Sequence, residues 1–327
     1  MAFLLSPGQR VVAAGLAAAL AAGWPSRVGH ETWSPPPPPT ELYVERTGPA
    51  VEQLAAYEKA GRTTEAALIR KIADRPVATW FADSDTTRVG RVMVAARGFI
   101  PVVTLYYIPH RDCASHSAGG AATGAAYSAW IDAVAAALTG RRAIVILEPD
   151  AVAQSLQGCL TTAQRAERYR LLTRAIATLT ANRALTVYLD GGNPAWITDT
   201  ATMAGALRKA GVARARGFAL NVANFETTAA NIRYGARLSQ RLGGARFVID
   251  TSRNGNGPAR KSSGDRHWCN PPGRALGNPP TLKTGRSLVD AYLWIKRPGE
   301  SDGACGRGAP PAGRWWPAYA LELASGA

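Results

Sequence analysis

Seven short runs of apolar, β-branched or aromatic residues recur along the chain, at 76–82 (PVATWFA), 101–108 (PVVTLYYI), 142–148 (RAIVILE), 184–190 (ALTVYLD), 217–223 (GFALNVA), 245–250 (ARFVID) and 290–296 (DAYLWIK). Runs of this length and composition read as buried strands. Consecutive runs start 25 to 45 residues apart, which leaves room for a helix in most intervals. That spacing predicts repeated strand–helix units around a parallel sheet. The intervals carry helical periodicity: Trp130, Val134 and Leu138 recur at i, i+4 and i+8, and Leu172, Ile176 and Leu179 at i, i+4 and i+7. Ala50 to Arg75 reads as two short helices broken at Gly61, and the Gly- and Pro-rich last stretch as loop plus a closing helix. The expected fold is α/β, a distorted and incomplete TIM-like parallel barrel of about seven strands.

The pattern breaks near the start. Val11 to Trp24 is an apolar, Ala-rich run preceded by Arg10, too short to span a bilayer comfortably and suited to the core of a secretion signal. Pro35 to Pro39 cannot be helix or central strand and behaves as a stiff extended spacer. The expected organisation is therefore a signal peptide at 1–25, a proline-rich linker at 26–40 and one catalytic-size domain at 41–327, secreted and not inserted in a membrane.

Composition adds little to fold but narrows function. The chain has 327 residues, 46% hydrophobic and 19% charged, with a net charge of +15. A polyanionic partner is one reading of that charge. The basic residues are mostly arginines scattered singly, which looks like compositional bias, and no nucleic-acid module is recognisable, so no nucleic-acid partner is expected. Four cysteines, Cys113, Cys159, Cys269 and Cys305, allow three connectivities, and a secreted chain makes disulfides the first reading. Pairing neighbours gives Cys113–Cys159 and Cys269–Cys305.

Asp112, Glu148, Asp150, Asp190, Asp250, Glu300 and Asp302 all lie at or just beyond the C-terminal end of a predicted strand. In parallel barrels that is the active-site face. Trp80, Tyr106, Tyr107, Trp196 and Trp268 share those places, and apolar faces beside acids suit a ligand with hydroxyls and flat C–H surfaces. Paired carboxylates without a metal are what glycoside hydrolysis uses. The four histidines have no zinc-ligand spacing, and there is no serine-hydrolase elbow or phosphate-cradling glycine motif, so neither a metal nor an organic cofactor is expected.

Over residues 40 to 327 the chain resembles the family 6 glycoside hydrolases, secreted inverting cellulases. The resemblance rests on an ordered set of strings: YYIPHRDC at 106–113, SAGG at 117–120, VILEPDA at 145–151, VYLDGG at 187–192, NVANF at 221–225, FVIDTSRNG at 247–255, WCNPPGRALG at 268–277 and LWIKRPGESDG at 293–303. It implies Asp150 as general acid, Asp112 as the neighbour that keeps the acid's proton in place, and Asp302 as base acting through water. It further implies Tyr106 as a ring-crowding residue, and Trp80, Trp196 and Trp268 as stacking platforms. Ser117, Asn224, Lys296 and Glu300 fall on sugar-contacting positions, and Asp190 on a further cleft acid. Where the family usually has histidine after its fourth strand this chain has Asn193, so a neutral amide replaces an imidazole.

The expected activity is endo-acting hydrolysis of internal β-1,4-glucosidic bonds by a monomer, with a β-1,4-glucan as the only partner. The short separation of Cys269 and Cys305 leaves little surplus chain for a lid, which favours endo action over a cellobiohydrolase of the same family. A catalytically silent polysaccharide-binding protein on the same scaffold is the rival from another class.

Overall fold

A computed structural model describes residues 40–260 and 267–326. The signal and most of the linker expected from the sequence lie outside the described residues. Along the chain run α1 (Pro49–Lys59), α2 (Thr63–Ala73), β1 (Thr79–Phe81), α3 (Thr87–Ala95), β2 (Val102–Leu105), α4 (Gly124–Ala137), β3 (Ala143–Leu147), α5 (Ala151–Gln154), α6 (Thr162–Thr180), β4 (Leu185–Asp190), α7 (Thr200–Lys209), β5 (Gly217–Leu220), α8 (Thr228–Arg241), β6 (Arg246–Asp250), β7 (Val289–Leu293) and α9 (Pro317–Ser325). The strands form one sheet in sequence order, every neighbouring pair parallel. All seven predicted runs overlap a strand, but several predicted strands end sooner. Tyr106 and Tyr107 follow β2, Glu148 follows β3, and Trp294 follows β7, because the backbone there turns into loops that carry the site.

The period-two alternation of the strands sorts their side chains. Val145 and Leu147 of β3, Val187 and Leu189 of β4, Phe218 and Leu220 of β5, and Phe247 and Ile249 of β6 pack in the cluster that includes the helix faces of α4, α6 and α8. The alternate residues, Ile144, Ile146, Tyr188, Ala219, Val248, Ala291 and Leu293, make a second, inner cluster. The sheet therefore curls around its own core, as a barrel does. It does not close by a ladder: beside the edge strands, Ala78 N–H donates to the Trp294 carbonyl at 2.9 Å, and the Trp80 indole N–H to the Ile295 carbonyl at 2.7 Å. This is the incomplete, seven-stranded α/β barrel that the sequence predicts.

Local signals set the helix starts. Thr161 and Gln164 form a reciprocal capping box at α6, and Asp199 caps α7 through Ala201 and Thr202 N–H. Gly217 has a packing reason: a Cβ there would sit 1.7 Å from the Arg246 carbonyl oxygen of β6. At the end of the barrel opposite the cleft, Asp290 accepts from Tyr188 Oη at 2.8 Å and Arg216 Nε at 2.8 Å, and also pairs with Arg246.

Candidate active site

Inward parity places Glu148, one residue past β3, and Asp190 and Asp250, the last residues of β4 and β6, in the barrel's upper layer, each buried. Glu148 accepts from Tyr107 and Ile108 N–H at 3.0 and 3.1 Å, and burial pushes its pKa up to about 7. Asp250 accepts from Ala223, Ser252 and Lys296 N–H. Glu148 and Asp250 brace the turns that follow β2, β5, β6 and β7, Asp190 those that follow β3 and β4, and none of the three lines the cleft.

The other strand-end acids line a cleft of about 1100 Å³ at the C-terminal face. Asp112, Asp150, Glu300 and Asp302 lie on its wall with Trp80, Tyr106, Ser117, Asn193, Trp196, Asn224, Trp268 and Lys296. All the site residues expected from the sequence are thus brought together except Asp190, which is 1% exposed and sits behind Asp150.

Asp150 immediately precedes α5 with a left-handed backbone, φ 70°. Its N–H donates to Asp190 Oδ2 at 3.0 Å, as does Gly192 N–H at 3.1 Å, and Tyr106 Oη lies 3.4 Å from Asp150 Oδ2. Burial, then the Asp190 and Asp112 charges, hold the Asp150 carboxyl well above the usual carboxylate range. Asp112 accepts from Ser117 N–H at 2.6 Å on Oδ2 and from Gln154 Nε2 at 3.2 Å on Oδ1. Asp302 behaves oppositely. Although burial opposes its charge, Arg253 Nη1 at 2.8 Å and Lys296 Nζ at 3.5 Å, with Asn270 N–H at 3.0 Å, hold its pKa below the ordinary value. Burial also raises Asp112 and Glu300, so among the cleft carboxyls Asp150 favours its proton most strongly and Asp302 alone is shifted towards its charge.

Aromatic surfaces surround the acids. Trp80 meets Tyr106 edge-on at 5.4 Å, and Trp268 meets His116 at 5.9 Å between ring centroids. The His116 side chain also rests on Gly303, where a Cβ would come within 2.6 Å of it. Lys296 Nζ donates to the Ser301 carbonyl at 3.0 Å, Arg297 Nε sits 3.3 Å from Glu300 Oε1, and Asn193 Oδ1 accepts from Ala195 N–H at 3.0 Å. The disulfides are Cys113–Cys159 and Cys269–Cys305, as neighbour pairing predicts, each beside a cleft loop.

Three arginines that a compositional reading passes over build the site. Arg111 donates to the Ala82 and Tyr106 carbonyls at 2.7 Å and to Ser117 at 2.8 Å, its guanidinium 4.8 Å from the Tyr106 ring centroid. Arg168 of α6, 2% exposed, reaches the Ala151, Pro109 and His110 carbonyls, and Arg253 pairs with Asp302 and packs on Phe225. His110, Asp112, Cys113, Ala114, Glu148, Asp150, Asn221, Ala223 and Asn270 all have positive φ, so backbone strain concentrates around the cleft. Gly120 lets the loop after β2 return, since a Cβ there would lie 2.0 Å from the Ile108 carbonyl oxygen.

A barrel mouth that pairs a proton-holding carboxyl with an ionised one between indole faces defines a glycoside hydrolase site. Residues 38–327 match the family described as glycosyl hydrolases family 6. Endoglucanase A of Cellulomonas fimi is 44% identical over 301 residues, covering 89% of this chain and 62% of that protein. Endoglucanase 1 of Streptomyces halstedii is 42% identical over 298 residues, covering 87% of this chain and 88% of that one. The endoglucanase Cel6 from Mycobacterium tuberculosis, solved with methyl-cellobiosyl-4-deoxy-4-thio-β-D-cellobioside, shares 46% identity at a TM-score of 0.82, over 88% of this chain and 97% of that chain. The chain belongs to glycosyl hydrolase family 6. It spans 62% of the length of the Cellulomonas relative.

Proposed function

We propose that this glycoside hydrolase is a secreted, monomeric endo-β-1,4-glucanase that inverts the anomeric centre and needs no cofactor. The observation that carries the reading is the opposed protonation of Asp150 and Asp302 in one cleft. Separating the pKa values of two carboxyls is how a protein assigns acid and base roles near neutral pH.

Asp150, kept protonated by burial and its carboxylate neighbours, donates to the leaving glycosidic oxygen. Asp302 is the base and acts through a water. Its Oδ2 is engaged by Arg253 and Asn270, which leaves Oδ1, shared with Lys296 at 3.5 Å, as the oxygen to receive a proton. A depressed pKa makes Asp302 a weak base, which suits relay to a water already activated by bond breaking. Trp80, Trp196 and Trp268 present ring faces to the sugars, Tyr106 crowds the reacting ring beside Asp150, and Ser117, Asn193, Asn224, Lys296 and Glu300 supply polar contacts.

Endo action is supported by the relatives above, whose names are endoglucanases, and by the thio-linked cello-oligosaccharide in the mycobacterial complex. Secretion is supported by the apolar run at 11–24 and by two disulfides. Among the described residues no helix is long and apolar enough to cross a membrane.

The test is incubation with soluble carboxymethyl-substituted cellulose, following viscosity together with reducing ends. A sharp viscosity drop at few cuts is expected. Reducing ends without that drop would indicate chain-end action by a cellobiohydrolase, and no new ends a silent binder.

A further inference from the structure

Asp112 lies on the loop after β2, 38 residues before Asp150 in sequence, yet the two must act together. Three ties hold that loop to α5 and the turn after it. One is covalent, Cys113 to Cys159 just beyond the helix. A second is Arg168, which bridges the Ala151 carbonyl of α5 to the Pro109 and His110 carbonyls of the loop. The third, and the one that reaches the carboxylate itself, is the side chain of Gln154, the last residue of α5, whose Nε2 donates to Asp112 Oδ1 at 3.2 Å. The Gln154 N–H donates to the Asp150 carbonyl at 2.9 Å. Asp150 and Gln154 are thus one helical turn apart, and the side chain is only 6% exposed.

We infer that Gln154 is a positioning residue: it holds Asp112 ionised and oriented against α5, so that the shared proton stays on Asp150. The inference rests on Asp150 as the general acid. The chemistry follows from what an amide can do. Nε2 only donates, so it stabilises the charged form of Asp112 and gives nothing to the neutral form's hydroxyl. Ser117 N–H, the other donor, is on Asp112's own loop and cannot register that loop to the helix. The charged and titratable groups facing Asp112 are Arg111, His116, Tyr106 and Asp150. Arg111 spends its guanidinium on carbonyl oxygens, so Gln154 is the side chain that bonds the carboxylate directly.

Asp302 has a lowered pKa and Asp112 a raised one, so Asp112 sets the acidic limb of the pH–rate profile. Gln154→Met keeps length and removes the donor. A hydrogen bond to a charged group is worth enough to move a carboxyl by about one unit. The expected result on soluble substituted cellulose is an acidic limb of kcat/KM displaced upward by about one pH unit, hence about tenfold less activity on that limb, with KM unchanged. The same substitution in an Asp112→Asn background is expected to cost nothing further. An unmoved limb, or an equal loss in both backgrounds, would overturn the inference and leave Gln154 a packing residue. Wild-type kcat in Asp150→Asn would instead overturn the acid role itself, whatever Gln154→Met does.

Discussion

The main-chain N–H of Asp150 donates to Oδ2 of Asp190 at 3.0 Å, which joins the turn after β3 to the end of β4 and pins the proton donor by its backbone. Asp190 Oδ1 is buried with no hydrogen-bond partner among the described residues, and burial raises the carboxyl to about 7. Asp190 therefore acts on Asp150 through position and charge. Asp190→Asn keeps an accepting oxygen and removes the charge. The basic limb of the kcat/KM profile is expected to move down by about one unit with little change in KM. A large KM effect with an unmoved limb would make Asp190 a sugar ligand.

Stability should depend on pH in two windows. Glu148 and Asp190 have folded pKa values raised to about 7, so their contribution is complete below the ordinary carboxylate value near 4 and is lost as pH rises through about 7. Asp302 and Asp290 are lowered, so theirs is present above the ordinary value and lost as pH falls through the folded value. The melting temperature is expected to peak at mildly acidic pH. Glu148→Gln should flatten the decline towards neutral pH, and a decline unaltered by that change would remove Glu148 as its source.

The Arg253–Asp302 pair is buried, with side-chain exposures of 0% and 6%. Asp302→Asn leaves the guanidinium without its counter-charge, and a loss of about 3–5 kcal/mol is expected in denaturant unfolding. Activity of the variant has to be normalised to folded protein. A loss below about 1 kcal/mol would place the pair in the range of solvated surface pairs.

Trp268 is 37% exposed and, among the aromatic rings of the described residues, meets only His116, tilted at 55°. Trp268→Ala should raise KM for cello-oligosaccharides about 3- to 10-fold, the worth of one aromatic face, with kcat nearly unchanged. A fall in kcat alone would assign the ring to the reaction centre.

The strands were legible because each lies in a short run of apolar, β-branched or aromatic residues, as a buried parallel strand requires. The acids at their ends were legible for the same reason. Their sorting was not. Whether Glu148 or Asp150 faces the cleft depends on two residues of turn, φ 46° at the first and 70° at the second, which no periodicity encodes. Arg111, Arg168 and Arg253 were hidden among many arginines because their partners are carbonyls and one acid on other loops. Gln154 was hidden because its role exists only once the loop after β2 lies on α5.

The role of Asp150 is tested most directly by Asp150→Asn on two substrates, unactivated cellulose and a cellobioside with a good leaving group. Loss of at least about 10²-fold in kcat is expected on cellulose, with a much smaller loss where the leaving group needs no proton. Equal losses on both substrates, or none on cellulose, would contradict general acid catalysis by Asp150.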